Sequence, residues 1–247
     1  MNFFRSILIT FCVIPSLYAA GEPLNIGIES FNPPFVMQGA HHEIYGYDID
    51  MMNSLCKLIN RTCTYKIMKF EELIPAVTNK QIDLAVSAIT ITKERAQRVN
   101  FSLPYLLSYS RFLTNRANAT NQPFSLALLK NKNIGVATGS VFANQIQQMG
   151  VINPVIKEYP GEEESLEGLR NGDVDFILFD SPTALYWEAN SAGEFKVEGD
   201  SYLYGFGLGI AINGTEGDLL KNINTALLQY QNSPDYKQNF NTYLQQF

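Results

Sequence analysis

"NKQIDLAVSAIT", residues 79–90, and "NGDVDFILFDSPT", residues 171–183, follow the same plan. Each runs from a helix end through a turn to an aspartate, then into an apolar strand and a polar cluster. Each begins Asn-x-x-x-Asp, at Asn79/Asp83 and at Asn171/Asp175. Hydrophobic periodicity alone does not force such an echo. It predicts two lobes of similar build, with strand ends meeting at a cleft where open α/β sheets hold ligands.

The flanking segments supply the rest of each lobe. "LNIGI" (24–28) reads as a strand, and "GYDIDMMNSLCKLIN" (46–60) spaces Ile49, Met52, Leu55, Cys56 and Ile59 as an amphipathic helix. "CTYKIMKF" (63–70) alternates as a strand, and "EELIPAVTNKQ" (71–81) reads as a helix with Pro75 admissible only in its first turn. Downstream, "NIGVATGS" (133–140) is a strand ending in a glycine turn. Helix "VFANQIQQM", strand "PVIKEY" and the acid-started helix "GEEESLEGLRNG" follow it. A β-α-β-α-β order with short connections implies a largely parallel sheet with helices on its faces.

Polar "SRFLTNRANATNQPF" (110–124) is expected to hold the first crossing between lobes, and "GDSYLYGFGLGIAING" (199–214) the second. Lobe 1 is then 21–112 plus 206–247, and lobe 2 is 113–205. The segment from Asp218 onward reads as helical and is expected to pack back on lobe 1. Two crossings make a hinge. Gly205, Gly207 and Gly209 lack the dinucleotide-binding spacing and fit a crossing strand where backbones come close.

Composition narrows the function classes. With 46% hydrophobic and 17% charged residues the chain is of globular type. A net charge of −6 with no Lys/Arg run excludes a phosphate-backbone partner, so no nucleic acid is expected. Residues 1–20 combine Arg5, an apolar run from Ile7 to Leu17 and small residues at Ala19 and Ala20, the pattern of a secretory signal peptide. The run is shorter than the roughly 20 residues of a membrane span. Cys12 leaves with the signal. Cys56 and Cys63 remain as an even pair in an oxidising compartment, and no histidine or third cysteine accompanies them as a metal set, so a disulfide is expected.

No nucleophile elbow, His-Glu-x-x-His or P-loop occurs, and His41 and His42 read as a solvated loop. No catalytic group, metal or cofactor is therefore expected. Thr92 reads as the N-cap of "KERAQRV", with Glu94 in the first turn. Arg95 in the same turn opposes the helix dipole. It makes sense either as a bidentate fork for a ligand carboxylate or as a salt bridge within its lobe. In the first case Ser87, Thr90 and nearby backbone N–H groups, that of Ala88 among them, complete a carboxylate cradle. Asp180 ends the matching strand of the other lobe, before Pro182, where its carboxylate would face the cleft. A cation from one lobe and an anion from the other suit a zwitterion, which points to a free amino acid.

These residues lie in blocks that resemble a known family. "GYDIDMMNSLCKLIN" resembles the signature of the solute-binding proteins of polar amino-acid ABC importers (solute-binding protein family 3). "LIPAVTNKQIDLAVSAITITKERAQRVNFSLPY", "LRNGDVDFILFD" and "GFGLGIAI" resemble its later blocks, and the likeness spans residues 24–247. The Cys56/Cys63 spacing and "LIP" after Phe70 look most like the arginine- and lysine/arginine/ornithine/histidine-binding members.

The resemblance implies an α/β, two-lobed periplasmic-binding-protein type II fold with a double-crossover hinge. It implies a periplasmic monomer that carries a basic amino acid, arginine first, to an inner-membrane ABC permease. Arg95, Ser87 and Thr90 would take the α-carboxylate and Asp180 the α-ammonium. Glu29 would meet the side-chain cation and Phe70 would stack on it. Asn32 stands where a stacking aromatic is usual, with Phe31 one place off. Lys93 replaces a common Pro, and Ser140-Val141 replaces a Thr pair, so the second lobe's carboxylate contact rests on Ser140 and backbone. Two alternatives remain open. One is a cyclohexadienyl dehydratase-like enzyme on the same fold, for which Glu29 and Asp180 lack a catalytic partner. The other is a binding protein for glutamine or another polar amino acid.

Overall fold

A computed structural model describes residues 21–119 and 122–245. The expected signal peptide at 1–20 lies outside the described residues. The chain first forms β1 (Leu24–Ile28), the hairpin β2 (Met37–Gln38) and β3 (Ile44–Tyr45), α1 (Tyr47–Leu58), β4 (Cys63–Ile67) and α2 (Phe70–Thr78). It continues through β5 (Leu84–Ala85), α3 (Lys93–Ala96) and β6 (Asn100–Phe101). A second run follows: β7 (Tyr109–Asn115), β8 (Asn133–Ala137), α4 (Phe142–Gln148), β9 (Val155–Tyr159), α5 (Glu162–Arg170), β10 (Phe176–Asp180), α6 (Ser181–Asn190) and β11 (Phe195–Leu203). The chain returns through β12 (Ala211–Ile212) and ends in α7 (Gly217–Gln231) and α8 (Pro234–Tyr243).

Two five-stranded sheets result, ordered β4-β1-β5-β12-β6 and β9-β8-β10-β7-β11. In each, three parallel strands are followed by one antiparallel strand, β12 or β7, and an edge strand, β6 or β11, pairs antiparallel with it. The reversed strand has a simple cause. β7 and β12 each enter a sheet directly from the other lobe, without the helical crossover that parallel pairing needs.

The echo is structural. Asp83 accepts the Asn25 amide at 2.7 Å and donates its own N–H to the Asn25 carbonyl at 2.9 Å. Asp175 does the same to Asn133, at 2.9 and 2.8 Å. Each aspartate thus fastens the start of the middle strand of its sheet's three parallel strands, β1 or β8. Asn79 and Asn171 cap the preceding helices, α2 and α5.

Each sheet is covered on both faces. In the first, Met52 and Leu55 of α1 pack with Ile223 and Leu227 of α7, while Leu73 and Val77 of α2 pack on the opposite side. In the second, Phe142 and Ile146 of α4 face Phe112, and Leu166 and Leu169 of α5 face Leu113. The Cys56–Cys63 disulfide ties α1 to β4. Among the described residues no helix is long and apolar enough to cross a membrane.

Two local expectations need correction. The segment 110–124 does not hold the first crossing: β7 already pairs with β10 and β11 from Tyr109 onward, so the boundary expected after residue 112 falls inside a strand of the second sheet. Its polar residues mislead because neighbours satisfy them. Arg111 Nε donates to Ser181 Oγ at 2.9 Å, and Thr114 Oγ1 to the Asp175 carbonyl at 2.8 Å. Pro75 lies in the second turn of α2, not the first. A helix-interior proline costs about 3 kcal/mol. Burial of Leu73, Ile74 and Val77, at about 1.5–3 kcal/mol each, exceeds that cost.

Candidate functional site

The strand ends of both sheets converge on a narrow cavity between the lobes. Its walls include Glu29, Asn32, Phe70, Ala88, Thr90 and Arg95 from the first lobe, and Ser140 and Asp180 from the second. Ser87 does not line it. That residue is wholly buried, and its hydroxyl accepts the Glu29 amide at 3.3 Å, which positions Glu29 instead. The cavity is small, about 30 Å³, close to the space of one water. A free amino acid is several times larger, so entry requires the lobes to part. Phe70, Arg95 and Ser140 also border a wider groove of about 920 Å³.

The turn after β5 is built around Ala88, which adopts φ 47°. A non-glycine residue there is strained. Asp48 holds it: its Oδ2 accepts the Ala88 amide at 2.8 Å and the Tyr105 hydroxyl at 3.1 Å. Burial pushes the Asp48 carboxyl up to about 7, and those two donors oppose the rise. Asp48 belongs to the "GYDID" run yet was not singled out from the sequence. Its signal was its phase, since Asp48, Met52 and Leu55 share the buried face of α1.

Past that turn, Thr92 caps α3 by accepting the Arg95 amide at 3.2 Å. This frees the Arg95 side chain for the cleft. Its Nη1 donates to the Thr90 carbonyl at 2.9 Å, and its Nη2 reaches the Gly139 carbonyl of the other lobe at 3.0 Å. No salt bridge within the lobe forms at Arg95 among the described residues. The guanidinium carbon lies 5.4 Å from the Phe70 ring centroid, so Phe70 stacks on the protein's own cation. Two of five N–H groups are used, which leaves three for an incoming carboxylate. Burial lowers the Arg95 pKa to about 10, and the group stays charged at neutral pH.

Asp180 occupies the N-cap position of α6, but its carboxylate makes no capping bond. Burial pushes it up to about 7 while Arg95 pulls it down. Glu29 is raised further, to about 8, by burial, against a hydrogen bond from Asn32 Nδ2 at 3.5 Å. Asn32 has a different task from the stacking aromatic it replaces. Its Oδ1 accepts the Thr183 hydroxyl across the cleft at 3.1 Å. Phe31 meets Trp187 edge-on at 6.2 Å, another contact between lobes. Ser140 Oγ accepts the Phe142 amide at 3.4 Å, at the start of α4. His41 and His42 are exposed and do not line the cavity. Among the described residues no group of three or more His, Cys, Asp or Glu could hold a metal ion.

The site is coupled to the hinge. Ile91 donates to the Gly207 carbonyl at 2.8 Å, Phe206 to Ile91 at 2.9 Å and Leu208 to Leu106 at 2.9 Å. A Cβ on Gly205, at φ 67°, would lie 2.6 Å from the Ile91 carbonyl oxygen, so only glycine fits this approach. The segment that carries Arg95 is thus hydrogen-bonded to the second crossing, which is in turn bonded to the first.

The profile of the bacterial extracellular solute-binding proteins, family 3, matches residues 24–246. The chain belongs to this family. Within it, the chain is 32% identical over 216 residues to ABC transporter arginine-binding protein 1 of Escherichia coli (strain K12), covering 85% of each. A solved arginine 3rd transport system periplasmic binding protein from Legionella pneumophila superposes with TM-score 0.84 at 33% identity, over 91% of this chain and all of that one. An ancestral arginine-binding protein bound to arginine superposes with TM-score 0.83 at 27% identity, over 92% of this chain and all of that one. These neighbours establish the two-lobed type II fold for this chain. They are binding proteins by name, and this family member is a binding protein rather than an enzyme.

Proposed function

We propose that this chain is the periplasmic solute-binding component of an amino-acid ABC importer, that it takes a basic L-amino acid, arginine first, and that it acts as a monomer delivering to an inner-membrane permease. Residues 1–20 would direct export. The observation that carries the reading is the placement of Arg95 and Asp180 on facing lobes around one cavity, with Glu29 beside them. The α-carboxylate takes the free N–H groups of Arg95, with Thr90 and Ser140 completing the cradle, since the Ala88 amide is already held by Asp48. The α-ammonium takes Asp180. The side-chain cation takes Glu29, whose burial without a cation is otherwise costly. The arginine-binding names of the relatives support the same ligand class.

No covalent step is involved. A micromolar dissociation constant requires about −8 kcal/mol, and two charge-assisted clamps in a dehydrated cleft can supply it. Part of the gross binding energy goes to the lobe equilibrium.

The test is calorimetric titration of the chain from residue 21, stripped by unfolding and refolding. Arginine, lysine, ornithine, histidine, glutamine and glutamate are compared. Arginine or lysine binding at micromolar strength or better supports the proposal. Glutamine binding as tightly as arginine would keep Arg95 and Asp180 as clamps and remove Glu29 as a cation partner. No binding by any of them would overturn it.

A further inference from the structure

Glu162 opens α5 among three successive acids, Glu162, Glu163 and Glu164. All three suit the positive end of a helix dipole, yet only Glu162 is buried, while its two neighbours are exposed. It turns inward and lines the inter-lobe cavity with Glu29 and Asp180. Trp187 Nε1 donates to its Oε2 at 3.0 Å, and Phe31 of the other lobe braces Trp187 edge-on. The side chain is therefore held in place.

A carboxylate that served only the helix dipole would stay in water, as Glu163 and Glu164 do. Glu162 instead gives the cavity a third acid against one base, Arg95. Burial and the nearby Glu29 raise its pKa well above the usual carboxylate range, and the Trp187 hydrogen bond opposes the rise. A zwitterionic head group accounts for Arg95 and Asp180. Glu29 and Glu162 then remain, one from each lobe. A guanidinium presents five N–H donors in a planar fork, of which one carboxylate satisfies two.

We propose that Glu162 is a specificity-determining residue whose carboxylate, with that of Glu29, brackets the distal guanidinium of the ligand. Recognition of the cation is completed only when the second lobe closes onto the first. The inference rests on the basic-amino-acid reading and deepens it.

The test compares L-arginine with L-citrulline, which has the same shape but a neutral ureido group, by calorimetry on the wild type, Glu29→Gln and Glu162→Gln. The wild type is expected to favour arginine about 100-fold or more, and each variant to cut that ratio about tenfold or more. Citrulline affinity should stay within about threefold, which also reports that the variants fold. An arginine preference that survives Glu162→Gln unchanged would overturn the inference and leave the function standing, as would an equal loss for both ligands. A wild type that does not distinguish arginine from citrulline would overturn both. If Glu162→Gln does not fold, Trp187→Phe reads the same ratio: loss of the Nε1 donor should lower it, and an unchanged ratio counts against the inference.

Discussion

In the first lobe β5 lasts two residues and gives way to a strained turn at Ala88, which Asp48 pins before the chain reaches Arg95. In the second lobe β10 runs five residues to Asp180 and passes at once into α6. Below these ends the lobes match. The strand order is the same, and an aspartate, Asp83 or Asp175, locks the start of the middle parallel strand, β1 or β8, in both. The duplicated part is the frame that aims a strand end at the cleft. The unduplicated part is the charge placed there, a guanidinium on one side and a carboxylate on the other. Ligand choice therefore rests on a few terminal residues and stability on the shared frame, so the two can be broken separately.

Removing the charges should have the largest effect. Arg95→Ala is expected to weaken arginine binding by about 1,000-fold or more, since truncating one partner of a buried charge-assisted contact costs about 2–5 kcal/mol. Asp180→Asn should cost about 100-fold, less because the amide keeps an oxygen that can accept from the ammonium. Titration calorimetry checks both. Comparable losses for glutamine would show that they hold the head group rather than the side chain.

Breaking the frame should act on stability alone. Asp83→Ala and Asp175→Ala are each expected to lower the unfolding free energy by about 1–3 kcal/mol, with arginine affinity within about threefold. Asp175→Ala should cost more, because that carboxylate also meets Lys132 Nζ at 2.9 Å. Denaturant titration gives the comparison. A large affinity loss in either variant would mean that frame and site are not separable.

Changing pH varies the same charges without mutation. Glu29 rises to about 8 and Asp180 to about 7 because burial disfavours their charged forms. Holding ligand cations requires both to ionise, so arginine affinity should rise by about tenfold or more between pH 6 and 8, tenfold being the part Asp180 alone supplies, with proton release visible as a buffer-dependent enthalpy. The stability of the unliganded protein runs the other way. The folded state holds these protons more tightly than the unfolded chain, so rising pH favours unfolding across the window from 4.5 to about 8 for Glu29. The melting temperature should fall through that window, and Glu29→Gln should flatten the fall.

Much of this was legible in the sequence, for identifiable reasons. The echo, the Thr92 cap and the cysteine pair depend on local chemistry or short spacing. The meaning of Asp83 and Asp175 was not legible, because each bonds a strand start 58 or 42 residues upstream. β7 was missed because Arg111 and Thr114 look like loop residues until their partners are known. Glu162 was hidden among like neighbours, although its phase with Leu166 and Leu169, four and seven residues on, put it on the buried face of α5. Asn32 and Phe31 drew notice as departures from a pattern, and only the facing lobe explains them, through Thr183 and Trp187.

The most direct measurement is a crystal structure of the chain from residue 21 grown with L-arginine. It should place the ligand carboxylate on Arg95, the α-ammonium on Asp180 and the guanidinium between Glu29 and Glu162, with the lobes closed. A reversed ligand, with its guanidinium at Asp180, or an arginine bound outside the inter-lobe cavity would contradict the account.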